Sequence, residues 1–284
     1  MTLIAAVQMN SAPHLEENLA QAERLIAQAA EAGARLVVLP ENFVQMSQEA
    51  DKLGICETPG DGPIQAFLGN QAARHGIWLV GGTLPLRALD PARVRASCLL
   101  FDEQGRQAAR YDKMHLFDVE IVDSGESYRE SAIIEPGQEP VVAETPFGRL
   151  GLAVCYDVRF PELFRRLLDQ GMEIMALPAA FTAATGKAHW EVLLRARAIE
   201  NQCYVVASAQ SGRHATGRET FGDSMIIDPW GVVLERLPSG PGVVLAAVDR
   251  DRQHTIRRTF PVLRHRHPVL HRAPNPGGES PLSR

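Results

Sequence analysis

Residues 35–40 read Arg35-Leu36-Val37-Val38-Leu39-Pro40, and residues 173–178 read Glu173-Ile174-Met175-Ala176-Leu177-Pro178. Each is an apolar run of strand length closed by Leu-Pro. A run without polar alternation is what a strand buried on both faces requires. Before the first, Leu3–Gln8 reads as a strand. Leu15, Leu19, Ala22, Ile26 and Ala29 then recur at helical spacing, and Gly33 is the stop. Before the second, Leu150–Val154 reads as a strand and Pro161–Leu168 as a helix with Pro at its first position. Strand, helix and Leu-Pro strand thus occur twice, which predicts two similar halves facing one another. Pro178 is expected to end its strand, as Pro40 ends the first.

The remaining pattern fits between and around these units. Gln65–His75 predicts a helix, and Ile77–Gly81 a strand. Ala96–Phe101 and Gln107–Tyr111 flank Asp102-Glu103-Gln104-Gly105, a hairpin signal. His189–Ile199 predicts a long helix before the strand Tyr204–Ala207. Asp228-Pro229-Trp230-Gly231 turns between Met225–Ile227 and Val232–Leu234, and Val243–Val248 is the last strand. The expected class is α/β, with mixed sheets and helices outside. Residues 1–271 are expected to form a single domain. Residues 272–284, rich in Pro, Gly and Ser, are expected to be a C-terminal arm or a disordered tail.

Composition narrows the function classes. The chain has 284 residues, 45% hydrophobic and 22% charged, which excludes a disordered chain. The formal net charge is −5, so no overall basic field points to nucleic acid. The stretch Ile174 to Gly186 is too short and too broken by Pro, Thr and Gly to span a bilayer, which needs about 18 apolar residues. The N-terminus has no basic segment ahead of its apolar run. The four cysteines, Cys56, Cys98, Cys155 and Cys203, form no C-x-x-C pair. Neither a zinc ribbon nor a thioredoxin motif is therefore present. A reducing compartment, and hence a soluble cytoplasmic protein, is expected.

Three polar residues stand at predicted strand ends, where open α/β folds carry their sites. Cys155 follows Gly151-Leu152-Ala153-Val154 and precedes Tyr156-Asp157-Val158-Arg159-Phe160-Pro161-Glu162. It reads as an exposed thiol beside backbone N–H groups that stabilise a thiolate or an oxyanion. The alternative is a buried strand cysteine. Glu41 directly follows Leu39-Pro40 and is either a general base or a capping residue. Lys113, in Tyr111-Asp112-Lys113-Met114-His115, either pairs with Glu41 and faces an oxyanion or is solvated. Arg159 is read as the reader of a substrate carboxylate through its planar fork, or as an ion-pair partner of Asp157 or Glu162. His189 lines a pocket or packs. His265-Arg266-His267 either binds a metal or is solvated or at an interface. Arg257, Arg258, Arg264, Arg266 and Arg272 make the C-terminal region locally basic, for subunit pairing or solvation. Cys56, Cys98 and Cys203 are expected to pack.

At these residues the sequence resembles the nitrilase superfamily of carbon–nitrogen hydrolases. The resemblance runs from Ala5-Ala6-Val7-Gln8-Met9 to the segment near residue 270. It is carried by Val38-Leu39-Pro40-Glu41, by Tyr111–Leu116, and by Gly151–Asp157, in the family's order. The segments His115–Val119, Cys155–Leu163, Ala188–Glu200 and Asp228–Gly231 resemble the Nit branch, which contains deaminated glutathione amidase and the ω-amidases. Gln202–Ala207 and Gln210–His214 look closer to the former. The resemblance implies a four-layer α-β-β-α sandwich that pairs into a homodimer or a higher homo-oligomer. It implies Cys155 as nucleophile, Glu41 as general base, Lys113 as oxyanion donor with the Tyr156 backbone N–H, and a second glutamate. Glu130 is the best match for the last, with Glu126 close by. The implied substrate is a small amide bearing a carboxylate: deaminated glutathione, or alternatively 2-oxoglutaramate or a related ω-amide. The implied reaction needs water and neither a metal nor an organic cofactor. An idle scaffold subunit is the reading from another class.

Overall fold

A computed structural model describes residues 1–121 and 125–267. In chain order the first half gives β1 (Thr2–Gln8), α1 (Leu15–Glu31), β2 (Leu36–Val38), α2 (Pro63–His75), β3 (Trp78–Val80), β4 (Leu84–Arg87), β5 (Val94–Phe101), β6 (Gln107–Asp112), β7 (Asp118–Ile121) and β8 (Glu126–Arg129). The second gives β9 (Val141–Thr145), β10 (Gly148–Leu152), α3 (Pro161–Asp169), β11 (Ile174–Ala179), α4 (Ala183–Asn201), β12 (Tyr204–Ala209), β13 (Ser211–Arg213), β14 (Glu219–Phe221), β15 (Ser224–Ile227), β16 (Val233–Leu237), β17 (Gly242–Val248) and α5 (Arg250–Thr259).

Two large sheets form. The first runs β17-β1-β2-β3-β5-β4, with β6 also on β5; the second runs β16-β15-β12-β11-β10-β9. In each, three parallel neighbours make the centre: β1-β2-β3 and β10-β11-β12. These are the halves built around the two Leu-Pro runs. Alternation along β1 shows the layering. Ile4 and Ala6 join the core between the sheets, while Ala5 and Val7 join the core under α1 and α2. Phe164 and Leu167 of α3 and Trp190 and Leu194 of α4 pack on the second sheet. The molecule is therefore layered α-β-β-α, as expected.

Three expectations need correction. Pro178 does not end its strand: it lies within β11, opposite Ser208. The Ala176 carbonyl bonds the Ala153 N–H, so residue 178 turns its nitrogen to the same side, past the end of β10. No donor is needed there, and proline is tolerated. The long helix starts at Ala183, not His189, because Thr182 caps it by accepting from the Thr185 N–H. Finally, α5 carries Ile256 as its one aliphatic residue, so no apolar stripe announced it. It is held by polar contacts instead. Gln253 Nε2 donates to the Glu173 and Gln202 carbonyls at 2.8 and 3.0 Å, and Arg257 donates to the Met172 and Gln202 carbonyls at 2.9 and 3.1 Å. Arg257 thus belongs to the body of the fold rather than to a basic surface. The expected arm at 272–284, with Arg272 and the proposed domain end at 271, lies outside the described residues.

Candidate active site

Both Leu-Pro strand ends open onto one cleft, at the carboxyl ends of the central strands. Glu41 leaves β2 through Pro40 and is buried. Gly82 makes this path possible: a Cβ there would stand 2.2 Å from the Pro40 carbonyl oxygen, and its φ is +58°. Glu41 Oε1 accepts from Lys113 Nζ at 2.8 Å, and Oε2 accepts from the Ala180 N–H at 2.8 Å. Ala180 follows β11, so the second Leu-Pro end orients the carboxylate delivered by the first.

Lys113 follows β6 and is buried. Its ammonium lies 2.8 Å from Glu41 Oε1 and 2.8 Å from each oxygen of Glu130. Glu130 follows β8, is buried, and also accepts from the Phe117 N–H at 2.7 Å. Glu126 is placed differently: it accepts from the Tyr128 hydroxyl at 2.9 Å. Burial would depress the Lys113 pKa, but Glu130, Glu41 and Cys155 outweigh it and hold it well above the lysine range. Burial likewise opposes ionisation of Glu130, and Lys113 with Lys52 draws its carboxyl below the usual range. The group is a buried cation between two carboxylates.

Cys155 opens a 3-10 turn, Cys155–Arg159, just past β10. It is buried at 7% exposure, against the expectation of an exposed thiol. The segment around Cys155 does not show its neighbours, which include Glu41 and the Ala180 N–H from other elements. Burial first, then Glu41, raise its pKa well above the thiol range, with Lys113 opposing. The residue holds φ of 46°, in the left-handed region. Asp157 fixes this turn. It is fully buried and accepts from the Val154 N–H (2.8 Å), the Tyr111 hydroxyl (2.7 Å) and the His115 N–H (3.1 Å), and pairs with His115 Nδ1 at 2.7 Å. The His115 ring stacks on Phe160 with centroids 3.8 Å apart.

The cleft above encloses about 470 Å³, part of it open to solvent. Glu41, Lys113, Glu130 and Cys155 form its floor; Phe117, Tyr128, Tyr156 and Phe181 form aromatic walls; Arg159 and Arg218 also line it. Arg159 pairs with neither Asp157, which is already saturated, nor Glu162. Its guanidinium lies 4.8 Å from the Phe181 centroid, with Nη1 3.2 Å from His189 Nδ1. His189 is exposed and does not line the cleft; it touches the cleft only through Arg159. It lies in the second turn of α4, on the side that faces solvent.

Sequence reading missed Tyr128, Thr182, Thr185 and Arg218. Arg218 sits on the β13–β14 turn, where nothing local signals a site. Among the described residues no group of three or more His, Cys, Asp or Glu is arranged to hold a metal. Nor does any helix there have the length and apolarity to cross a membrane. All four cysteines are free. Cys98 and Cys203 are buried, the Cys203 pKa pushed up to about 12 by burial.

Comparison with known proteins places the chain in a family. The model of the carbon-nitrogen hydrolase family matches residues 3–258. A deaminated glutathione amidase of Yersinia enterocolitica is 45% identical over 263 residues, covering 92% of both chains. The crystal structure of the Caenorhabditis elegans NitFhit protein superposes with a TM-score of 0.88 at 39% identity, over 95% of this chain and 66% of that one. This chain therefore spans about two thirds of that protein. The structure of Saccharomyces cerevisiae Nit3, described as a member of branch 10 of the nitrilase superfamily, gives 0.83 at 29% identity, over 92% and 94%.

Proposed function

Because the chain belongs to the carbon-nitrogen hydrolase family, we propose that it is an amidase that hydrolyses deaminated glutathione to 2-oxoglutarate and cysteinylglycine. The observation that carries the chemistry is the single ammonium shared by two buried carboxylates beside a buried thiol. The relatives named deaminated glutathione amidase support the substrate.

In this mechanism Cys155 attacks the amide carbonyl while Glu41 takes the thiol proton. A thiol whose pKa is raised needs such a base. Before the transfer the cluster is two anions against one cation; afterwards Glu41 is neutral. Its claim on Lys113 weakens, and the ammonium turns one donor to the new oxyanion. The backbone N–H of Tyr156 is the second donor. A donor of this kind is worth about 3–4 kcal/mol. Glu41 then protonates the leaving nitrogen, and the C–N bond breaks to give a thioester on Cys155. Water, deprotonated by Glu41, cleaves the thioester and restores the thiol. Glu130 keeps Lys113 charged and in place. Arg159, with His189 against it, holds the carboxylate of the acyl group.

We assign the active species as a cytoplasmic homodimer. Four free cysteines suit a reducing compartment. Trp230 and Phe260 expose a ring pair, centroids 5.4 Å apart, beside exposed Val232 and Ile199, an apolar patch suited to a second copy.

Intact-protein mass spectrometry during turnover tests the mechanism. A 2-oxoglutaryl adduct on Cys155 is expected at early times. Steady turnover with no adduct on Cys155, even after acid quench within milliseconds, would overturn it.

A further inference from the structure

Arg218 has no task in the mechanism above. Its Nη2 donates to the Ala180 carbonyl at 2.6 Å, and its guanidinium carbon lies 5.0 Å from the Tyr128 ring centroid. Its Nε is buried without an acceptor. Among the described residues no carboxylate pairs with it, although it lines the cleft. A guanidinium held by one carbonyl and an aromatic face keeps donors for a planar, two-oxygen acceptor.

Its neighbours and its element differ from those of Arg159. Arg159 belongs to the turn that starts at the nucleophile and lies against Phe181 and Tyr156. Arg218 lies against Tyr128, two residues before Glu130. The floor carries one net negative charge, so an anionic substrate needs cations at the walls. Of the three guanidiniums that line the cleft Arg129 is exposed, whereas Arg159 and Arg218 lie against aromatic rings, and these two suit a substrate with two carboxylates, one on each side of the scissile bond. An ω-amide that releases ammonia has only one.

We propose that Arg218 is a specificity-determining residue that binds the carboxylate of the departing amine, the C-terminal carboxylate of cysteinylglycine. Arg159 keeps the acyl carboxylate. The assignment rests on the amidase reading above.

The test uses three substrates with one acyl group: 2-oxoglutaryl-cysteinylglycine, the same compound with its C-terminus as a carboxamide, and 2-oxoglutaramate. Wild-type enzyme should prefer the free acid to the carboxamide about tenfold or more in kcat/KM, the scale of a charged hydrogen-bond contact. In Arg218→Ala that ratio should fall about tenfold, mainly through KM on the free acid. Arg218→Lys should recover part of it. The carboxamide, assayed on the same preparation, reports folding. An unchanged ratio in Arg218→Ala overturns the inference and leaves the amidase reading standing. Wild-type enzyme inactive on all three substrates overturns both.

Discussion

The Ala180 N–H donates to Glu41 Oε2 at 2.8 Å, and so one Leu-Pro strand end aims the carboxylate carried by the other. Glu41 has no free oxygen on its far side, since Lys113 takes Oε1. An amide in its place must set an NH2 against one of two N–H donors. Glu41→Gln is therefore expected to lose turnover by at least a thousandfold and stability by about 1–3 kcal/mol, the cost of an unmet buried donor. Urea denaturation beside steady-state kinetics checks both. Turnover within tenfold of wild type would remove Glu41 from the role of base.

Alkylation should separate burial from activation. Cys155 is more buried than Cys56 and its pKa is raised, so it should react only because Glu41 accepts its proton. Iodoacetamide is expected to label Cys155 in the wild type and inactivate it. In Glu41→Gln the Cys155 rate should fall at least tenfold while the Cys56 rate holds. Peptide mapping reads both sites. Equal rates at Cys155 in the two proteins would mean that Glu41 does not activate the thiol.

Removing Lys113 alone leaves two buried carboxylates face to face. Lys113→Met is expected to cost about 3–5 kcal/mol as well as activity. Adding Glu130→Gln to Lys113→Met should return a large part of that stability and none of the activity. Thermal unfolding and turnover of the single and double variants make the comparison. Further destabilisation in the double variant would contradict the pairing.

The pH dependence of stability follows from the same cluster. Glu130 has a lowered folded pKa, so its contribution is complete above its unfolded value near 4.5 and is lost as pH falls through the lower folded value. Lys113 has a raised folded pKa, so its contribution is complete below about 10.5 and is lost as pH rises through the higher folded value. A plateau at neutral pH with both limbs falling is expected. In Glu130→Gln the acid limb should flatten. Chemical denaturation from pH 3 upward reads the limb, and an identical acid limb in the variant would rule Glu130 out as its source.

Much of the fold was legible because its decisive elements are local. The apolar runs, the Pro at the start of α3 and the hairpin around Gly105 each declare themselves within a few residues. Glu41, Lys113 and Cys155 were legible for the same reason, standing at strand ends with matching motifs. What failed depended on distant neighbours. Cys155 is buried among residues of other elements, Glu41 and Ala180 included, and the tolerance of Pro178 comes from where β10 happens to stop. Arg218 reaches the cleft from a hairpin sixty-odd residues beyond Cys155, with no pattern in its own segment. α5 is fixed by Gln253 and Arg257 reaching carbonyls of other elements, which no hydrophobic period records.

The order of the strands divides the chemistry between the two halves of the chain. Glu41, Lys113 and Glu130 all precede β9, whereas Cys155, Ala180, Arg159 and Arg218 all follow it. In the mechanism proposed, proton handling belongs to one half and bond making to the other. Yet β17, the last strand, returns to the first sheet and pairs along β1 from Thr2–Val248 to Gln8–Gly242. The later half thus carries a clasp for the earlier one. A chain severed between Glu130 and Val141 would yield two inert pieces with a built-in means of reunion, and hydrolysis would report their complementation.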